Sequence, residues 1–138
     1  MKLTIQVKID DQDNNAITKD VTLIERDGLS IETFGLTLSE SKEITSNIQK
    51  FMVERQITDY LSSERNCPCC GKILYIKGYN SLVYRTLFGK LSLKSPRLYK
   101  CKCSIEKEIT FSPLVKVLSN RTSPELQYMQ SKWASMMS

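Results

Sequence analysis

The chain has 138 residues and a net charge of +5, which is enough length for one domain or two small lobes. It contains no histidine, which excludes imidazole catalysis and imidazole metal ligands, and no apolar run approaches the roughly 18 residues of a membrane span. The N-terminus alternates like a strand and lacks the apolar core of a signal peptide, so we expect a cytoplasmic protein with reduced thiols and no membrane partner.

Residues 1–64 are predicted to form a β-hairpin followed by a long helix. Apolar residues alternate with polar ones from Leu3 to Ile9, and a second, less regular strand pattern runs from Ile17 to Leu23, with a turn-rich loop over residues 10–15. Thr37 and Glu40 have the spacing of a capping box, and the apolar spacing beyond them predicts an amphipathic helix of roughly 25 residues.

Residues 65–112 carry a pattern typical of a small β-sheet stapled by cysteines. The strand-like segments are residues 73–76, 82–88 and 91–93, with Gly89 as a turn, Pro96 as a break and a last strand around Ile109 and Phe111. The cysteines stand as Cys-x2-Cys, thirty residues, Cys-x-Cys, which is the layout of a zinc ribbon.

Residues 113–138 are predicted to be a C-terminal helical segment. A cap, a proline at the first helical position and an acidic residue occur together in Thr122-Ser123-Pro124-Glu125, and an apolar stripe follows at helical spacing. The stripe consists of Leu126, Met129, Trp133 and Met136. The predicted class is therefore α+β: hairpin and long helix, zinc-ribbon sheet, C-terminal helix.

The cysteine spacing predicts a structural zinc site. Zinc in such sites takes four ligands in a tetrahedron, for which thiolates are well suited, and four thiolates leave no open position for catalysis. Pro68 pre-sets the first turn and Gly71 tolerates a left-handed backbone, which leaves Cys69 as the variable residue. The predicted ligands are Cys67, Cys70, Cys101 and Cys103. The alternative is a disulfide, or free thiols packed together, since Cys-x-Cys is a tighter spacing than usual.

Charge is distributed unevenly along the chain. Residues 1–64 carry seven basic and twelve acidic side chains, whereas residues 65–105 carry nine basic and no acidic ones. Tyrosines interleave with the basic residues. Lysine and arginine can neutralise phosphates, and exposed tyrosines can stack on bases or reach phosphate oxygens, so the expected partner is double-stranded DNA. The candidate nucleic-acid-binding residues are Lys72, Lys77, Arg85, Lys90, Lys94, Arg97, Lys100 and Lys102, of which Arg85 and Arg97 are candidates for reading base edges. The alternatives are a solvated charged face and an acidic protein partner.

The chain resembles the N-terminal zinc-ribbon region of ISKra-type bacterial insertion-sequence transposases. The stretches that carry the resemblance cover nearly the whole chain and are Leu36-Thr37-Leu38-Ser39-Glu40-Ser41-Lys42, Cys67-Pro68-Cys69-Cys70-Gly71, Arg85-Thr86-Leu87-Phe88-Gly89-Lys90-Leu91, Ser95-Pro96-Arg97-Leu98-Tyr99, Cys101-Lys102-Cys103, Phe111-Ser112-Pro113-Leu114, Arg121-Thr122-Ser123-Pro124-Glu125-Leu126 and Lys132-Trp133-Ala134-Ser135-Met136-Met137-Ser138. The resemblance implies a DNA-binding module that recognises the ends of a mobile element for transposition.

The resemblance also implies that the acidic, RNase H-like catalytic core lies downstream of this region, so we expect a fragment or short derivative with no enzymatic activity. A second hypothesis is a transposase-derived interaction protein that dimerises or inhibits a transposase or nuclease partner through the stripe on the C-terminal helix. The alternative is that this stripe packs on the chain's own core. A third possibility is a truncated piece of an active enzyme.

Overall fold

A computed structural model describes residues 1–10, 16–105 and 109–137. The chain is mixed α+β, as predicted, and divides into two compact units, Met1–Val53 and Glu54–Ser138. The predicted turn between the first two strands falls largely on residues 11–15, outside the described residues.

The first unit contains an antiparallel pair of long strands, β1 (Lys2–Asp10) and β2 (Ala16–Glu25). The alternation of apolar and polar residues predicts this hairpin. The register of the two strands shifts at a bulge between Ile5 and Gln6. On β2, Thr22 and Ile24 are buried. Asn47, on the following helix, donates to the carbonyl of Val21 at 3.0 Å, which fixes the helix against this strand.

The long helix α1 (Leu38–Ser63) begins at the predicted capping box. The Thr37 hydroxyl accepts from the Glu40 backbone N–H at 3.2 Å, and the Glu40 carboxylate accepts from the Thr37 N–H at 2.9 Å. Such a cap stabilises a helix by about 1 kcal/mol. Within Leu38–Ser63 no side chain is fully buried, so the predicted apolar stripe is at most half-buried.

Arg26 organises the connection between β2 and α1. A short 3-10 helix (Ile31–Thr33) lies in this connection. The Arg26 guanidinium donates to the carbonyl of Thr33, the last residue of this helix, and to that of Gly35, two residues later. It also forms an ion pair with Glu40 at 2.7 Å. The Thr37 N–H and this guanidinium lower the pKa of the Glu40 carboxyl. These contacts of Arg26 therefore connect the loop after β2 to the start of α1.

The second unit is built on a three-stranded antiparallel sheet, β3 (Ile76–Thr86), β4 (Gly89–Tyr99) and β5 (Thr110–Phe111), in that order. Strands β3 and β4 form a long hairpin, with a bulge between Ile76 and Gly78. Of the predicted segment 73–76, only Ile76 belongs to a strand, and Ile73 instead makes an isolated bridge with Asn66.

Pro96 lies inside β4 and does not break it, contrary to expectation. Strand β5 pairs only with Leu98 and Tyr99, so one edge of β4 is open at Pro96. A strand tolerates proline where no neighbour requires its missing N–H. The strand therefore continues to Tyr99 and delivers the chain directly to the second cysteine pair.

Two helices complete this unit. The short helix α2 (Pro113–Val117) packs on β4, where Leu91, Leu93 and Leu114 are buried. The C-terminal helix α3 (Pro124–Met137) begins at Ser123, whose buried hydroxyl accepts from the Leu126 N–H at 3.3 Å. The predicted helix start is therefore confirmed, with Ser123 as the capping residue.

Candidate metal centre and basic face

The first cysteine pair sits on a tight turn that precedes the sheet. The Cys67 N–H donates to the Lys72 carbonyl at 2.8 Å, and the Gly71 N–H donates to the Cys67 carbonyl at 2.9 Å. Gly71 has φ +70, the left-handed conformation expected from the sequence. This closed turn brings the thiols of Cys67 and Cys70 close to the other pair.

The second pair follows the end of β4. The Lys100 N–H donates to the Ile109 carbonyl at 2.9 Å, which continues the pairing seen between β4 and β5. The Ser104 N–H then donates to the Cys101 carbonyl at 2.9 Å, which turns the chain immediately after Cys103. The sheet thus places the Cys-x-Cys turn opposite the Cys-x2-Cys turn.

The four predicted ligands converge. The sulfur atoms of Cys67, Cys70, Cys101 and Cys103 all lie within 4.8 Å of one another. Cys67 and Cys103 are 3.3 Å apart, Cys70 and Cys101 3.4 Å, and Cys70 and Cys103 3.8 Å, far longer than the roughly 2.05 Å of a disulfide. The thiols are free, Cys69 is exposed outside the group, and the four together could hold a metal ion.

Local hydrogen bonds favour the thiolate form at two of the four positions. The backbone N–H groups of Cys70 and Cys69 point at the Cys67 sulfur and lower its pKa to about 6. The backbone N–H of Cys103 lowers the pKa of Cys101. The neighbouring Cys67 sulfur, by contrast, raises the pKa of Cys103. Four sulfurs this close cannot all ionise without a cation between them, which is what a bound metal ion supplies.

A small apolar layer supports the cluster from the sheet side. Cys67, Leu74 and Leu98 form a buried group, against which Cys101 and Phe111 pack. Leu74 is fixed by its N–H donating to the Arg65 carbonyl at 2.7 Å. Three apolar side chains, those of Leu74, Leu98 and Phe111, therefore lie between the two cysteine turns.

Three of the predicted basic residues share one face of the β3–β4 hairpin. Arg85 and Lys90 are directly opposed, and Lys94 lies four residues further along β4 on the same face. All three are exposed, whereas the opposite face carries the buried Leu82 and Leu93. Within residues 1–10, 16–105 and 109–137 none of the three forms an ion pair.

The other basic residues predicted to bind nucleic acid lie nearer the metal centre. Lys72 and Lys102 are exposed beside the cysteine turns, and Lys77 lies over the Tyr99 ring at 5.8 Å. Lys100 is half-buried, and so is Arg97, whose guanidinium donates to the Thr110 hydroxyl at 3.1 Å. The basic residues thus fall into two groups. The hairpin group is Arg85, Lys90 and Lys94, and the metal-end group is Lys72, Lys77, Lys100 and Lys102, while Arg97 is hydrogen-bonded to β5.

Arg121 joins the hairpin group, although sequence reasoning did not single it out. Its carbonyl accepts from the Arg85 N–H at 2.9 Å, and Arg85 in turn accepts from the Ser123 N–H at 2.8 Å. Arg121 has φ 52, a conformation that non-glycine residues adopt only rarely. The residue lies outside the acid-free segment, so neither charge nor spacing distinguishes it in the sequence.

The apolar stripe on α3 is divided between two environments. Leu126 and Met129 are half-buried, in the part of α3 that approaches β3. Trp133 and Met136 are 56% and 75% exposed. The proximal half of the stripe therefore contributes to packing, and the distal half remains uncovered by the described residues.

Comparison of the chain with known protein families, with curated proteins and with solved structures found no match. Among the described residues, no helix is both long enough and apolar enough to cross a membrane.

Replacing each of two neighbouring cysteines by serine, in separate variants, tests the assignment of the metal ligands. Cys70→Ser should lose stoichiometric metal, because it removes one of the four converging sulfurs. Cys69→Ser is the matched control and should keep the metal, since only the Cys69 backbone N–H contributes to the site. Native mass spectrometry of the purified variants reads the metal content directly. Metal retained by Cys70→Ser and lost from Cys69→Ser would reverse the assignment.

Proposed function

We propose that the chain is a zinc-folded module that binds double-stranded DNA through the basic face of its β-hairpin. The observation that carries this proposal is the surface of Arg85, Lys90 and Lys94: three exposed cations without ion-pair partners among the described residues, on a ribbon that ends in a four-thiol site. Duplex DNA presents the matching charge pattern, two rows of phosphates.

Zinc is the metal that this ligand set favours. Four thiolates at about 2.3 Å from a tetrahedral ion lie roughly 3.8 Å from one another, which is close to the 3.3–3.8 Å separations of three of the sulfur pairs. Soft thiolate ligands select zinc over magnesium or calcium, which prefer oxygen. Since all four positions are protein ligands, the ion would be structural.

The dimensions of the ribbon also suit a duplex. Strand β4 has 11 residues and therefore extends roughly 34 Å, about one turn of B-form DNA. Arg85 and Lys90 lie at one end of the ribbon, Lys94 lies at its middle, and the metal-end group lies at the other end. The basic residues would contact phosphates, and the tyrosines beside them, of which Tyr79 is exposed, would add contacts to sugar or bases.

The resemblance to ISKra-type transposases gives this proposal a biological setting. In that setting the DNA would be the terminal repeat of an insertion sequence, and strand transfer would belong to a downstream catalytic core rather than to this chain. We therefore propose recognition without catalysis for residues 1–138.

A second candidate function is protein association through the distal half of α3. Exposure of Trp133 and Met136 favours it, because large apolar side chains in sequence-adjacent turns commonly mark an interface. The proposed partner is a second copy of the chain. Light scattering should then show a dimer that Trp133→Ala dissociates, and a monomer at every concentration would exclude this function.

Charge reversal on the hairpin tests DNA binding. The double variant Lys90→Glu/Lys94→Glu should bind a labelled duplex at least about tenfold more weakly near 0.1 M salt, and the slope of log affinity against log salt should fall by roughly two. Fluorescence anisotropy measures both. The matched control, Lys42→Glu/Lys50→Glu, makes the same charge change on exposed positions of α1 and should keep at least most of the affinity. Equal losses in both variants would argue for non-specific attraction and against the proposed face.

A further inference from the structure

The tip of the β3–β4 hairpin carries two large apolar side chains in solvent. Thr86 and Gly89 are the last paired residues, so Leu87 and Phe88 form a two-residue loop. Their side chains are 48% and 51% exposed. Tight turns normally contain glycine, proline or small polar residues, each of which favours the turn conformation. Leucine and phenylalanine do not favour it, and about half of each side chain is left in solvent.

Two hydrogen bonds hold the backbone of this turn in place. The Thr86 hydroxyl accepts from the Phe88 N–H at 3.1 Å and donates to the Gly89 carbonyl at 2.9 Å. Gly89 has φ 127, which only glycine adopts readily, and Thr86 itself is buried. The tip is therefore a pre-organised apolar projection and not a loose loop.

Basic residues flank this turn on both strands of the hairpin. Arg85 and Lys90, the second pair from the tip, face each other across the strands although like charges in that position repel. Arg121 lies beside Arg85 with its backbone in the left-handed region, a strained conformation that is concentrated at functional sites. Local repulsion and local strain thus occur together around two exposed apolar residues.

We propose that Leu87 and Phe88 wedge between adjacent base pairs of DNA while Arg85, Lys90 and Arg121 hold the flanking phosphates. The proposal rests on the DNA-binding function proposed above and adds the class of DNA preferred: duplex that is already kinked or unstacked. Proteins that kink DNA insert leucine, phenylalanine and similar side chains between base steps, with basic residues alongside.

Charge and size favour DNA over a protein as the occupant. A stable protein interface buries about 800 Å² on each partner, far more than the exposed parts of two side chains. A single base step needs only such a small wedge. The basic residues beside the tip, Arg85, Lys90 and Arg121, match phosphate in charge, and the hairpin itself, residues 76–99, contains no acidic side chain.

We expect the protein to prefer unstacked over fully matched duplex DNA, and we expect Leu87 and Phe88 alone to control this preference. Unstacking a matched duplex opposes binding, whereas a duplex with two adjacent mismatches is unstacked before the protein arrives. The wild-type protein should therefore bind the mismatched duplex about tenfold more tightly than the matched one. It should also bend the matched duplex and raise energy transfer between dyes on its two ends.

Leu87→Ala/Phe88→Ala removes the wedge and retains every cation. It should bind the matched duplex, of about 30 base pairs, within roughly twofold of wild type but lose the bend and most of the mismatch preference. Leu87→Asn/Phe88→Gly supplies residues that favour turns, so it tests the same loss with the hairpin reinforced. Phe34→Ala/Leu36→Ala, an exposed apolar pair in the first unit, is the matched control and should behave as wild type.

Three results would overturn the inference. Wild-type protein that binds both duplexes equally would retain DNA binding and exclude the wedge. Tip variants that keep the preference would exclude these two residues, and tip variants that change only the oligomeric state would make the tip a protein contact. Protein with bound metal that binds neither duplex in low salt would instead exclude the DNA-binding function on which the inference depends.

Discussion

The convergence of four thiols is the interaction on which the second unit depends. The β3–β4 hairpin has one covered face. Among the described residues, the segments that flank it meet through Leu74, Leu98 and Phe111, through the Tyr99 N–H donating to the Tyr75 carbonyl, and through the sulfurs. A short β-ribbon with so thin a core is marginal in water. Metal binding to a four-cysteine site contributes on the order of 10 kcal/mol in small peptides, enough to decide whether such a fold forms.

A metal crosslink between these thiols would also explain how the hairpin can carry an unfavourable surface. Arg85 opposes Lys90, Arg121 occupies a strained backbone conformation, and two apolar side chains project at the tip. Each feature opposes folding by itself. A metal ion bound at the other end of the ribbon would supply stability that does not depend on this surface. A polyanion that neutralises the cations would relieve the repulsion.

Local patterns predicted most of the secondary structure, because their causes are local. The capping box at Thr37 and the proline after Ser123 begin helices where expected, and alternation alone finds β1. Pro96 was predicted wrongly because its tolerance depends on how far β5 extends along β4. Neighbouring strands decide that, and a single-residue rule cannot.

Those parts of the candidate site that depend on local sequence were predictable, and those that depend on how distant segments pair were not. Cysteine spacing identified four residues whose sulfurs the fold brings together, since the Cys-Pro-x-Cys-Gly turn is itself a local structure. Arg121 was missed because it is 36 residues from Arg85 in the chain and is brought beside it by the parallel bridge between Arg85 and Thr122. The separation of the basic residues into two groups likewise follows from strand register and not from composition.

The most direct test of the account is whether one metal ion controls both folding and DNA binding. Fluorescence anisotropy of a labelled duplex should be measured with purified protein, after a chelator, and after zinc is restored, with circular dichroism on the same samples. The account predicts salt-sensitive binding that disappears with the metal, together with loss of β-sheet signal, and returns with zinc. Binding that persists after complete metal removal would contradict it.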